Sequence, residues 1–230
     1  MDILLTAYAF LTLAHDTGLI VEVGHGVDSH KVMDIFCLDT KLNISKAYLK
    51  PGFAFGGSRL PKDIRAIRAS AKARGLKTPL FDAVLQANDE QVRRAHAMVI
   101  QSGRKKVGLM GLAFKADSDD LLESPLVALA DLLLADGLEL AIYDPGVYRA
   151  ATMEGASQKY IHEGIPHISR CLVATPEELL KHSELFVVGH HGADFGQILS
   201  QANDNQPIID LVRLRNSIGE GRAAYSGICW

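Results

Sequence analysis

The chain has 230 residues, 48% of them hydrophobic and 22% charged, which is enough apolar material for one good core or two modest ones and excludes disordered, collagen-like and coiled-coil classes. Lysine and arginine number 24 against 27 aspartates and glutamates, a net charge of −3, so no cation excess is available to neutralise phosphates, and neither nucleic acid nor an anionic membrane is an expected partner. The three cysteines, Cys37, Cys171 and Cys229, lie far apart without metal spacing, which points to a reducing, cytoplasmic setting with no disulfide framework and no metal.

The stretch from Ile3 to Ala14 is largely apolar. Asp2 precedes it and no cation does, and the run is too short to span a bilayer, so a buried helix from Asp2 to about Val23 is expected in place of an export signal. An opening this apolar fits a chain that begins inside something larger. Gly24 and Gly26 break that helix, and Ser29 to Leu38 forms a second, with Val32, Ile35 and Phe36 at helical spacing. After a loop from about Asn43 to Ser58, Pro61 to Arg74 is a helix with proline at its start and Gly75 just past its end. Pro79 to about Gln101 continues as a longer helix along the stripe Leu85, Val92, Ala95 and Val99.

The pattern changes at Gln101-Ser102-Gly103-Arg104. Lys105 to Leu112 has strand length, Ser124-Pro125 opens a helix that Asp136-Gly137 ends, and Leu138 to Tyr143 is the next strand. Thr175-Pro176-Glu177-Glu178 has capping-box spacing ahead of the strand Leu185 to Val188, and Pro207 to Val212 makes a fourth strand. Strands alternating with helices favour a parallel sheet covered on both faces. The expected architecture is therefore α/β: a helical unit over 1–101 followed by a doubly wound, Rossmann-like unit over 102–230.

The segment Lys50-Pro51-Gly52-Phe53-Ala54-Phe55-Gly56-Gly57-Ser58-Arg59-Leu60-Pro61-Lys62-Asp63 is the most informative. Its glycines allow close backbone approach or positive φ, and Lys50, Lys62 and a helix start supply positive potential for an anion. Read by itself, the segment fits an anion-binding loop and an ordinary glycine-rich connection equally well. His190-His191 follows a strand with no carboxylate or thiol at ligand spacing, which favours an exposed loop pair over a metal site. Cys37 and Cys229 have no nearby cation in sequence and are expected to be buried or inert. Asp144-Pro145-Gly146 reads as a turn, although a carboxylate there could also meet a ribose hydroxyl. Gly108 to Gly111 lacks the spacing of a dinucleotide fingerprint and reads as strand packing.

This glycine segment resembles the active-site loop GFGGSCxPKD of the UDP-glucose/GDP-mannose dehydrogenases, in the Phe53-Ala54-Phe55 form of the family's GDP-mannose branch. Gly111-Leu112-Ala113-Phe114-Lys115-Ala116-Asp117-Ser118-Asp119-Asp120-Leu121-Leu122-Glu123-Ser124-Pro125 resembles its second motif, GLxFKxxTDDxRxSP, and the ending Gly227-Ile228-Cys229-Trp230 is similar to that branch's terminus. The resemblance covers the family's middle helical and C-terminal domains. It implies an oxidoreductase that converts a nucleotide sugar such as GDP-mannose or UDP-glucose to the uronate for polysaccharide synthesis, in two NAD-dependent steps with a cysteine that captures the aldehyde. It also implies a dimer, or pairing with a full-length relative.

By the same resemblance Tyr48, Lys50, Phe53, Gly56 and Lys115 match substrate-lining positions, and Lys62 matches a cofactor contact. Arg59 stands at the cysteine's position. A guanidinium stays protonated and has no lone pair to add to a carbonyl, so it cannot replace the thiolate. The family's proton-moving lysine and asparagine are missing from Ala9 to Thr17, the lysine's place falling near Leu11, and Leu122 stands where the second motif has a cofactor-holding arginine. Lys50 replaces an arginine and Ala47 a tyrosine of the GDP-mannose branch. The chain is expected to be inactive alone, with NAD binding poor; the alternative is a non-catalytic nucleotide-sugar-binding or partner-pairing module.

Overall fold

The computed structural model describes residues 27–38, 51–214 and 224–229. The helix expected over Asp2–Val23, the stretch 9–17, and Ala47, Tyr48 and Lys50 lie outside them. The first described element, α1 (Ser29–Phe36), is capped by Asp28, whose carboxylate accepts from the His30 N–H at 2.9 Å. Helices α2 (Leu60–Ala73) and α3 (Pro79–Gln101) both carry proline in the first turn, where its missing N–H has no intrahelical partner to lose. Gly75 lies just past the end of α2 at φ +69°, a left-handed position that glycine adopts without penalty.

From Lys106 onward strands and helices alternate: β1 (Lys106–Met110), α4 (Pro125–Ala135), β2 (Glu139–Tyr143), α5 (Pro145–Thr152), α6 (Pro176–His182), β3 (Leu185–Val188), α7 (Phe195–Ser200), β4 (Ile208–Asp210) and β5 (Tyr225–Gly227), with short helical turns over 156–169. The five strands form one sheet in the order β2-β1-β3-β4-β5, and every pair is parallel. The chain therefore reverses direction across the sheet between β1 and β3, where Leu109 stands opposite Val187 and Met110 opposite Val188.

Alternate strand residues feed two cores, as the two-residue period of a strand requires. Val107, Leu109, Leu140, Ile142, Leu185 and Val187 pack with α3 and α4, while Met110, Ala141, Tyr143, Phe186 and Val188 pack with α6 and α7. Helices thus cover both faces, which explains why these strands read as nearly unbroken apolar runs. Val92, Ala95 and Val99 of α3 belong to the first of these cores. The secondary structure changes at Ser102, but the packing runs across that point. The capping box at Thr175 is present, with Glu178 Oε2 accepting from Thr175 N and Thr175 Oγ1 accepting from Glu178 N.

One sequence reading of this region is corrected. Asp144-Pro145-Gly146 is not a bare turn: it starts α5, with the Asp144 carboxylate capping the N–H groups of Gly146 and Val147 at 3.1 Å each. A fifth strand, Tyr225–Gly227, is added alongside β4 where the sequence reading placed no element. A strand of three residues, with Gly at one end, carries no period that sequence reading detects. Among the described residues no helix is long and apolar enough to cross a membrane.

Candidate functional site

The loops that follow β1 and β3 diverge at the point where strand order reverses, and parallel sheets bind ligands in the crevice formed there. A cleft of about 290 Å³ occupies this position. Phe114, Lys115 and Ala116 line it from the loop after β1, Gly189, His190 and His191 from the loop after β3, and Phe53 and Ala54 close it from the glycine loop.

The glycine loop is held there by specific contacts. A Cβ on Gly56 would meet the Glu123 carbonyl oxygen at 2.3 Å and Pro125 Cδ at 2.6 Å, so only glycine lets this loop lie on the start of α4. Gly57, at φ +94°, sits against the Phe114 ring. Asn88 of α3 grips the backbone of Phe55 from both sides: its Oδ1 accepts from Phe55 N at 2.8 Å and its Nδ2 donates to Phe55 O at 3.0 Å. The second motif is ordered by Ser124, whose Oγ donates to Leu112 O at 2.7 Å and accepts from Leu126 N, capping α4. Within that motif Asp117 and Glu123 hold φ of 56° and 55°, conformations that non-glycine residues enter at a cost.

Of the residues singled out in the sequence, Phe53 and Lys115 both line the cleft, from segments far apart in the chain. The Lys115 ammonium lies 5.4 Å from the Phe114 ring centroid, a cation–π contact at an otherwise exposed side chain. Gly56 is buried beneath the loop as a packing element. Arg59 and Lys62 are exposed at the start of α2 and are not among the cleft's lining residues; the Lys62 ammonium is 3.9 Å from Asp63. Leu122 is an exposed apolar side chain, 49% accessible.

His190 departs from its expected place. His191 is exposed, but His190 is buried, its ring stacked 5.2 Å from Phe195 and its Nε2 3.2 Å from Asp144 Oδ2. Asp144 Oδ2 also accepts from Leu112 N at 2.8 Å and Ala113 N at 3.1 Å. Burial of this carboxyl opposes ionisation, yet the His190 bond and the backbone N–H groups of Leu112, Ala113 and Val147 outweigh it and hold the group below the usual carboxylate range. At the end of β4, Asp210 likewise gathers donors, accepting from Val212 N and Leu214 N and from the Tyr225 hydroxyl of β5. The sequence does carry a signal for both: each aspartate directly follows an apolar strand run at its carboxyl end.

Residues 11–90 match the UDP-glucose/GDP-mannose dehydrogenase family, central domain, and residues 108–216 match the same family's UDP binding domain. The chain belongs to this family. It is 40% identical over 220 residues to the GDP-mannose 6-dehydrogenase of Pseudomonas putida and 40% identical over 222 residues to that of Pseudomonas aeruginosa, covering 96% of this chain in each case. Among solved structures, it is similar to a ternary complex of GDP-mannose dehydrogenase from Pseudomonas aeruginosa, with a TM-score of 0.75 over 95% of this chain and 49% of that one. A UDP-glucose dehydrogenase from Pyrobaculum islandicum, 25% identical, gives a TM-score of 0.81 over 100% of this chain and 50% of that one. The chain thus spans about half the length of the relatives it matches.

Dehydrogenases of the UDP-glucose/GDP-mannose family depend on NAD, but the glycines of β1 and the aspartate after β2 do not fit a dinucleotide. A Cβ on Gly108 would meet Ser183 Oγ at 2.2 Å, and one on Gly111 would meet the His190 ring at 2.5 Å, so these glycines serve packing and cradle no pyrophosphate. Asp144, at the end of β2, is occupied by backbone donors and His190 and has no oxygen to spare for a ribose.

Proposed function

We propose that this chain binds a nucleotide sugar of the GDP-mannose or UDP-glucose type and does not by itself oxidise it. One observation carries the reading: Phe53 of the glycine loop and Lys115 of the second motif line a single cleft at the point where strand order reverses. In it an aromatic face suits a sugar or base, and a cation suits the diphosphate. Functionally the chain divides at Ser102, the helical unit supplying the Phe53 wall and the α/β unit the Lys115 wall. By the family resemblance Tyr48 and Lys50 are further candidate ligand contacts, and Gly56 serves the ligand by letting the loop that carries Phe53 lie on the start of α4.

The absence of turnover follows from chemistry. Arg59 occupies the position that the family's loop gives to cysteine, and a guanidinium forms no thioester. Lys62 is a surface cation, and among the described residues no dinucleotide cradle stands beside it.

Calorimetric titration of the full chain with GDP-mannose and with GDP tests binding, and NADH absorbance in the presence of GDP-mannose and NAD tests turnover. The expected result is a binding isotherm that Lys115→Ala weakens about tenfold, the loss of one charge-assisted contact, with NADH no higher than in a buffer blank. Flat titrations with both nucleotides would remove the binding reading. NADH formation would remove the non-catalytic one.

A further inference from the structure

The net charge of −3 conceals a segregation. Residues 59–77 carry seven cations and one anion, Asp63, so this short stretch is strongly positive while the remainder of the chain is acidic, and a local excess of that kind draws anions whatever the total charge. Within it Arg65, Arg68 and Lys72 follow one another at three and four residues along α2, which places them on one face of the helix. Together with Lys77 and the start of α3 they line a cleft of about 640 Å³. It shares no lining residue with the cleft of Phe53 and Lys115.

These cations keep donors for a ligand. Asp82, the one anion among the lining residues, accepts from Arg68 Nε, and Glu123 accepts from both terminal nitrogens of Arg65. A guanidinium has five N–H donors, so each arginine is oriented by a carboxylate and has donors left for a second acceptor. Both pairs are partly exposed, where an ion pair is worth little and is readily shared. Lys72 and Lys77 are exposed and have no carboxylate partner among the described residues. Thr78 precedes α3 without a side-chain capping bond, so the positive end of this 23-residue helix adds to the same potential. Four cations against one carboxylate call for more than one negative charge in a small space. A chain of phosphates supplies it, whereas a lone carboxylate does not, and a flat bilayer surface does not enter a concavity between two helices.

We propose that this cleft is a second ligand site, separate from the nucleotide-sugar cleft, that binds a soluble anion bearing two or more phosphate groups. The inference does not rest on the nucleotide-sugar reading. The probe is inorganic tripolyphosphate, titrated calorimetrically into the full chain at low ionic strength. One-to-one binding is expected, weakening as salt is added. Lys72→Ala combined with Lys77→Ala lowers the affinity about tenfold, the loss of two exposed charge-assisted contacts, while Lys115→Ala leaves it unchanged. Both lysines are exposed, so the double variant retains the urea midpoint of the unaltered chain and the loss reports on binding alone. Affinity that survives in the double variant, or that falls in Lys115→Ala instead, overturns the inference. A flat titration does the same, as do orthophosphate binding as tightly as tripolyphosphate and poly-glutamate binding more tightly. Sedimentation with phosphatidylserine vesicles separates a lipid source from a soluble one: lysine-dependent cosedimentation that tripolyphosphate does not reverse would transfer the cleft to a membrane surface and sink the proposal.

Discussion

Asp144 ties together three loops that the sequence keeps apart: Leu112 and Ala113 after β1, the first turn of α5, and His190 after β3. Removing its oxygens would leave several buried donors without partners, each of which carries a desolvation penalty. Asp144→Ala is therefore expected to destabilise the chain by about 3 kcal/mol, read by urea denaturation. The folded-state pKa lies below the unfolded one, so the contribution is present above the ordinary carboxylate value and is lost as pH falls through the folded value. The unaltered chain should lose stability on acidification more steeply than Asp144→Ala, and parallel acid profiles would show the carboxylate to be unimportant. Gly56 makes the second residue-scale prediction. Gly56→Ala forces a methyl into the Glu123 carbonyl and Pro125, and the loop must lift from α4. A loss of about 2 kcal/mol in stability and weakened GDP-mannose binding are expected, by denaturation and calorimetry. Of the loop's glycines, Gly52 meets nothing among the described residues around its Cβ position, so the motif's three glycines are not equivalent.

At the scale of elements, α3 both contributes to the sheet's core and carries the loop. Val92, Ala95 and Val99 are buried in the core shared with α4 and the strands, while Asn88, nearer the start of the helix, holds the Phe55 backbone by its amide. Asn88→Ala removes both bonds while leaving the helix and its apolar face intact. Faster amide exchange at Phe55, several-fold weaker GDP-mannose binding and a stability loss of about 1 kcal/mol are expected. Unchanged exchange would show that packing of Phe55 against Ile64 and Val84 holds the loop unaided. The helices themselves were legible in sequence because their signals are local: proline in the first turn, Ser124 and Thr175 as caps, glycine past the end. The start of α5 reads as a turn in sequence because Asp144-Pro145-Gly146 is equally the signature of a turn and of a capped helix start, and only the burial of Val147 and Ala151 decides for helix.

At the scale of the molecule, a small set of polar contacts joins the described segments nearest the two ends. The Asp28 carboxylate caps α1 and accepts from both terminal nitrogens of Arg213, at 3.0 and 2.7 Å, while Ser29 Oγ donates to the Cys229 carbonyl. Burial opposes ionisation of Asp28, but the Arg213 guanidinium and the His30 N–H outweigh it and lower its pKa. Asp28→Ala and Arg213→Ala are each expected to cost about 2 kcal/mol, with the double variant losing clearly less than the sum, since the pair acts as one unit. Additive losses in urea denaturation would show that the two residues act separately.

The sequence by itself determined the parallel α/β class, the family and the identity of both motif loops, because strand period, helix caps and motif spacing are properties of neighbouring residues. Tertiary structure alone decided that Phe53 and Lys115 share a cleft and that His190, expected on an exposed loop, is buried against Asp144 and Phe195. Phe53 and Lys115, like Asp144 and His190, lie tens of residues apart along the chain, and only the packing of the glycine loop on α4 and the parallel arrangement of the strands bring them to one place.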